Sequence, residues 1–351
     1  MIKFKEIKTP YLKGYVFETK DKKQFASPEY NYMMDKNSGL FVRYGKTLKE
    51  DASLEAGLPE IADIEISTIC SNNCEFCYKD NRPSGKNMSL KTFKQICSKL
   101  PPTVTQIAFG IGDIDGNKDM FEIFKWSRKN GFIPNVTING SHCSKEKAIA
   151  LGKVCGAVAV SYYDKEETFD TVKLLLDMGL SQVNIHSLVA KETYPRLIEL
   201  LVESLTNERL KNLNAVVLLG LKQKGRAKGQ FSSLCQDRFK SLVSFALANR
   251  IRLGFDSCSA FKFLNSVPDR TKYEIVAEPC ESSIYSVYID VDGNYYPCSF
   301  MEGEDEWKEG LNVIDCNDFL EDIWYHSKTI NFRNKVIKGR IEERGCCHYE
   351  I

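Results

Sequence analysis

Short apolar runs alternate with longer amphipathic stretches through the middle of the chain. The apolar runs fall at 61–67, 104–109, 132–138, 156–162, 182–189 and 214–220, with a shorter one at 251–255. Each has strand length. The stretches 89–100, 117–130, 166–179, 191–206 and 231–249 space their apolar residues as a helix does, and Ser89 stands where the first needs an N-cap. Strand and helix in alternation, with short connections, predict a parallel sheet wound by right-handed crossovers. Periodicity leaves a barrel and an open α/β sheet equally available. In either, the C-terminal strand ends carry the chemistry.

The flanks read differently. Residues 1–58 are short strands and turns, with a hairpin predicted over Tyr30–Tyr44 around Gly39. This segment reads as a β-rich cover, with a peptide-docking module as the alternative. The core runs from 59 to 255. From 256 to 351 cysteines become dense, helices look short, and a second hairpin is expected at Asp292-Gly293-Asn294. That region reads as a separate small domain.

Composition narrows the classes. The 351 residues are 43% hydrophobic and 27% charged, with a formal net charge of +1. No overall field argues for nucleic acid or an anionic membrane. No apolar run approaches a membrane span, and the start Met1-Ile2-Lys3-Phe4-Lys5-Glu6 has no apolar core of a signal peptide. A reducing cytoplasm is the expected compartment, and there 13 cysteines point to metal or redox chemistry rather than disulfides.

The first strand runs into Cys70-Ser71-Asn72-Asn73-Cys74-Glu75-Phe76-Cys77-Tyr78, a C-x3-C-x2-C spacing. Three thiolates on a short loop can hold three irons of a cubane and leave the fourth open, whereas four cysteines close a cluster for electron transfer. A structural zinc site would favour C-x2-C pairs and four ligands. The motif, at the end of the first strand of a repeating βα domain and with the aromatic Phe76 before its last cysteine, resembles the radical S-adenosylmethionine (radical SAM) superfamily. The resemblance implies a partial (βα)6 barrel and a [4Fe–4S] cluster on Cys70, Cys74 and Cys77. It also implies S-adenosylmethionine chelated to the open iron and cleaved to a 5′-deoxyadenosyl radical that takes hydrogen from substrate. Phe76 and Tyr78 are expected beside that cofactor.

Further matches fall at successive strand ends. Gly110-Ile111-Gly112-Asp113 resembles the family's Gly-Gly-Glu segment, with the pair split by Ile111 and Asp for Glu. The resemblance implies that Gly110, Gly112 and Asp113 meet the cofactor's amino group. Asn139-Gly140 resembles the family's Thr-Asn-Gly ending, and Ser161 matches a ribose or carboxylate contact. On the fifth strand Val183 and Ile185 should share one face, with Asn184 and His186 on the other. His186 reads either as a cofactor or substrate contact or as a hydrogen-bonded structural group. Leu219 or Leu221 is expected near adenine. The basic run Lys222-Gln223-Lys224-Gly225-Arg226 reads as a solvated loop.

Cys280 is followed by Gly293 and Cys298 in a C-x12-G-x4-C spacing. A hairpin there brings the two cysteines together. The run resembles the SPASM/twitch extension of radical SAM enzymes, although the C-x2-C-x5-C continuation of the full SPASM pattern is missing. The shorter twitch form implies one auxiliary [4Fe–4S] cluster. Its favoured ligands are Cys258, Cys280, Cys298 and Cys346, with Cys347 and Cys316 in reserve. A zinc ribbon is the alternative. Cys97, Cys143, Cys155 and Cys235 are expected to be inert.

The expected activity is radical SAM chemistry on a peptide, protein or small-molecule substrate, by oxidation, cross-linking or epimerisation. A flavodoxin or ferredoxin is expected as electron donor, and from charge and hydropathy no membrane and no nucleic acid are expected as partners. The other class is a non-catalytic iron–sulfur or zinc protein, serving as scaffold or electron carrier.

Overall fold

A computed structural model describes residues 3–349. It contains two sheets. The first is an antiparallel meander of β1 (Lys3–Lys8), β2 (Lys13–Glu18), β3 (Lys22–Ala26), β4 (Asn31–Asp35) and β5 (Phe41–Tyr44), in that order. The hairpin expected over Tyr30–Tyr44 is β4–β5, with Met34 opposite Phe41. Asp35 Oδ1 accepts the N–H groups of Asn37 and Ser38, and Gly39 closes the turn at φ 76°. A side chain other than glycine seldom adopts that φ.

The second sheet holds the core. Its strands and helices alternate: β6 (Ile61–Glu65), α1 (Leu90–Lys99), β7 (Gln106–Gly110), α2 (Met120–Lys129), β8 (Ile133–Ile138), α3 (Lys145–Val154), β9 (Ala157–Ser161), α4 (Lys165–Asp177), β10 (Val183–Val189), α5 (Tyr194–Thr206), β11 (Ala215–Gly220), α6 (Gln236–Ala248) and β12 (Leu253–Phe255). All seven strands run parallel, each beside the next in sequence. Strands β6 to β11 face one cavity, as staves of a partial barrel that stays open. Ser89 Oγ accepts the Thr92 N–H at 3.1 Å and caps α1. Helix α3 was not among the expected helices. Its sequence KEKAIALGKV has little contrast between faces, and only Ala148 and Leu151 are buried.

The C-terminal region adds α7 (Ala260–Leu264), α8 (Arg270–Glu274), β13 (Ser286–Ile289), β14 (Asn294–Tyr296), β15 (Leu311–Asn312) and α9 (Ser327–Ile341). Short helices were expected here, yet α9 spans 15 residues. It is mostly polar and is anchored by buried Phe332, Arg333 and Val336. The expected hairpin is β13–β14. Strand β13 also pairs in parallel with β6, Tyr288 opposite Asp63, so the barrel sheet continues into β14 and β15.

The N-terminal sheet seats against the N-terminal ends of the barrel strands. Tyr32 Oη and Lys23 Nζ donate to the Thr103 and Val104 carbonyls, each at 2.6 Å, just before β7. Tyr30 Oη donates to the buried Glu60 at 2.6 Å, just before β6. Arg43 holds the same Glu60 through two bonds and reaches Glu278 and Glu281. The sheet therefore lies at the opposite end of the barrel from the cysteine loop. No helix of the described residues is long and apolar enough to cross a membrane.

Candidate active site

The cysteine loop leaves β6 at its C-terminal end and is pinned by its neighbours. Asp113 N–H donates to the Ile69 carbonyl at 2.8 Å, and Cys70 N–H to the Arg82 carbonyl at 3.1 Å. Arg226 Nε donates to the Cys74 carbonyl at 2.8 Å, and Arg226 N–H to the Cys77 carbonyl at 3.0 Å. A Cβ on Gly112 would lie 2.1 Å from the Ile69 carbonyl oxygen, so only glycine lets the loop pass. The close approach that Gly112 permits is therefore to the protein's own backbone.

Cys70, Cys74 and Cys77 face one cavity of about 660 Å³ at the C-terminal strand ends. Among the described residues no fourth cysteine lines it. A set of three thiols with open space beside it fits a cluster with one free iron. Among the described residues no three His, Cys, Asp or Glu side chains form a ligand group for a single metal ion. A cubane asks for less convergence than one ion, because each thiolate takes a different iron. Burial pushes the Cys70 and Cys74 thiols above their ordinary range. Bound iron would reverse that direction, since a ligating thiol is deprotonated.

Phe76, Tyr78, Gly110, Gly112, Asn139, Ser161, His186 and Leu219 all line this cavity, and Asp113 does not. Asp113 Oδ2 accepts the Ser71 N–H and Oδ1 accepts Asn139 Nδ2, both at 2.8 Å. Its carboxylate thus ties the cysteine loop to the end of β8. Phe76 packs between Tyr163 and Phe231, with ring centroids 5.5 and 5.8 Å away. On β10 the alternation is as expected: Val183 and Ile185 are fully buried, while Asn184 and His186 face the cavity. His186 Nδ1 lies 3.4 Å from Thr137 Oγ1, and burial lowers its pKa to about 4, with Asp256 opposing. The ring is therefore neutral at neutral pH.

Sequence reasoning missed the buried charges around the cavity. The basic run is not solvated. Lys222 is buried against Asp256, with its ammonium 4.7 Å from the Phe300 ring. Lys224 Nζ donates to the Phe300 carbonyl at 3.0 Å, and Arg226 bonds Asp80 at 2.7 Å. On β6, Asp63 and Glu65 point inward. Lys79, two residues beyond Cys77, bridges Glu65 at 3.2 Å, Tyr288 Oη at 2.6 Å and Glu302. Tyr78 Oη lies 3.3 Å from Ser299 Oγ, and its ring is 4.4 Å from Phe300. The available signal was an acid at alternate positions of a strand inside a parallel sheet, where both faces are normally apolar.

A second cavity of about 220 Å³ adjoins the first. Cys258, Cys280, Cys298, Cys346 and Cys347 line it together. Hydrogen bonding to Cys280 and Cys346, together with burial, holds the Cys258 thiol well up. Cys346 Sγ also accepts the Tyr349 N–H at 3.3 Å. Cys316 lies elsewhere, its Sγ directed at the Val313 carbonyl 3.1 Å away. All 13 cysteines are free thiols.

No family model matches this sequence, and no curated protein matches it. Solved structures do. Streptococcus suis SuiB bound to its precursor peptide SuiA superposes with a TM-score of 0.66 at 13% identity, over 89% of each chain. Native anSMEcpe with bound AdoMet and the Cp18Cys peptide gives 0.59 at 15% identity, over 79% of this chain and 83% of that one. SuiB bound to S-adenosylmethionine gives 0.57 at 13% identity, over 78% of this chain and 65% of that one. These likenesses show that this chain shares the fold of SuiB and anSMEcpe.

Proposed function

We propose that this chain is a radical SAM enzyme that modifies a peptide, with a twitch-like auxiliary site. The observation that carries the reading is the set of three thiols, Cys70, Cys74 and Cys77, facing one cavity at the strand ends of this fold. When bound, a [4Fe–4S] cluster with S-adenosylmethionine would supply one-electron sulfonium cleavage and a radical able to remove substrate hydrogen. The three cysteines would hold that cluster. Asp113 keeps their loop in register with β8, and Arg226 anchors it from the far side. Asn139, Ser161, His186 and Leu219 would line the cofactor, with His186 as a neutral polar group. Phe76 and Tyr163 give one wall an aromatic surface that excludes water, and Phe231 packs on Phe76. A pure electron carrier has no use for so large a cavity beside its thiols.

The second cavity supports an auxiliary [4Fe–4S] cluster on Cys258, Cys280, Cys298 and either Cys346 or Cys347. Such a cluster would take the electron left on an oxidised substrate. The peptide class is supported by SuiB and anSMEcpe, whose structures hold a precursor peptide and the Cp18Cys peptide. The free thiols fit a reducing cytoplasm, where a flavodoxin or ferredoxin would be the electron donor.

The test is anaerobic reconstitution followed by measurement of 5′-deoxyadenosine under a strong reductant. Wild-type protein should form it. Cys74→Ala should lose about four irons and all product, because two thiolates retain a cubane poorly. Full product formation by Cys74→Ala would overturn the assignment.

A further inference from the structure

The two cavities share a wall. Asp63, Asp256, Ser299 and Phe300 are the residues that line both. The cations at the larger cavity are already engaged. Lys79 bridges Glu65 and Glu302, Lys222 pairs with Asp256, and Arg226 pairs with Asp80. Arg196 donates to the Tyr162 and Tyr163 carbonyls and stacks on the Tyr162 ring.

The carboxylates of the wall are not matched in this way. Among the described residues the Asp63 side chain has no hydrogen-bond or ion-pair partner, and Lys79 acts on it only at longer range. It sits inside the sheet, on β6 between β7 and β13, and the surface it keeps faces the cavities. Asp256 spends Oδ2 on Lys222, while its Oδ1 is buried without a hydrogen-bond partner. A buried acceptor left unmatched is costly, and more so when charged. Asp256 Oδ1 is fully enclosed, whereas Asp63 lies at the surface of both cavities, and a carboxylate there calls for a group with N–H donors and positive charge. Phe300 adds an aromatic surface, which also favours cations.

We propose that this wall seats a cationic substrate group, a lysine ammonium or an arginine guanidinium, held by the Asp63 carboxylate beside the Phe300 ring. The inference rests on the reading of the chain as a peptide-modifying enzyme, and it narrows the peptide to one that presents a basic side chain. It also places that side chain between the two cysteine sets, because the wall separates the cavity of Cys70, Cys74 and Cys77 from the cavity of the other five. Burial pushes the Asp63 carboxyl up to about 7, and a bound cation would favour its ionised form.

The experiment uses the reconstituted full chain and three probes: the N-acetyl methylamides of lysine, arginine and norleucine. Calorimetry should show at least one cationic probe binding about ten- to a hundredfold more tightly than norleucine. Asp63→Asn should bring that probe down to the norleucine level. Asp63→Ser serves if the Asn variant does not fold, and the wild-type comparison of probes stands without either. Equal binding of all three probes by wild-type protein overturns the proposal, as does a cation preference that survives in Asp63→Asn. Loss of S-adenosylmethionine affinity in Asp63→Asn, with probe affinities unmoved, also overturns it by giving the carboxylate to the cofactor. Substrate-free 5′-deoxyadenosine formation is measured alongside on wild-type protein. Its absence sinks the enzyme reading, whereas product without a cation preference sinks only the wall site.

Discussion

Lys23 lies on β3, 4% exposed, with its ammonium against the Val104 carbonyl at the base of the barrel. Burial lowers its pKa to about 8; Glu18 opposes that shift, while Lys36, Lys3 and Lys5 add to it. The sign follows from proton counting. Between about 8 and 10.5 the unfolded chain binds more protons at this residue than the folded one, so stability rises with pH across that window. Below about 8 the full cost of charging a buried amine is present, on the order of 3 kcal/mol. Lys23→Met should therefore raise stability at pH 7 and flatten the pH dependence above 8. Urea unfolding at a series of pH values measures both. Identical slopes for the two proteins would show that the ammonium is not held in a dry site. At this same scale the sequence was most legible where spacing alone sets geometry: Cys70, Cys74 and Cys77 face one cavity. It was least legible where chemistry depends on a partner. Asp113 was expected at the cofactor, and that its two oxygens accept from Ser71 and Asn139 is visible only in the structure. Asp63 drew no notice, because only pairing with β13 reveals that its carboxylate faces two cavities.

Among the elements, the segment after β11 changes most between sequence and structure. Five residues with three cations look like a wet loop, yet Gly225 wedges against the cysteine loop. A Cβ there would come within 2.4 Å of the Cys77 carbonyl and 2.5 Å of that of Tyr78, at φ 58°. Gly229 offers a control, with φ 75° and nothing within 4 Å. Both Gly→Ala variants carry the backbone cost of a left-handed residue, about 1–2 kcal/mol. Only Gly225→Ala should also displace the cysteine loop. It should lower iron retention after gel filtration, while Gly229→Ala melts slightly earlier with iron unchanged. Equal iron in both variants would show that the wedge does not hold the loop. Strands and most helices of the core were legible because their periodicity is strong. Helix α3 and helix α9 were not, since neither has a clean apolar face. The parallel pairing of β13 with β6 joins segments more than 200 residues apart, and no local pattern encodes it.

For the whole molecule, the question is whether the two cysteine sets act as one device or two. The two sets come from different segments: the loop after β6 supplies one, and residues 258 to 347 supply the other. The sets are also mechanically tied. Tyr78, next to Cys77, meets Ser299, next to Cys298, and Lys79 reaches Glu302. These ties hold the two cavities side by side without sharing a ligand. Replacing Cys70, Cys74 and Cys77 together should therefore leave about four of eight irons, retained by the auxiliary set. Replacing Cys280 and Cys298 should leave about four on the first set and spare cofactor cleavage without substrate. It should stop substrate turnover, because the proposed electron acceptor would be gone. Metal analysis must be paired with Mössbauer or EPR spectra, since thiolate sites also take zinc. Zinc without iron in the triple variant would make the C-terminal set a structural zinc site and remove the proposed electron acceptor, with the first set untouched. Loss of all iron from either variant would show instead that the ties through Tyr78 and Lys79 are strong enough for one site to fold only with the other.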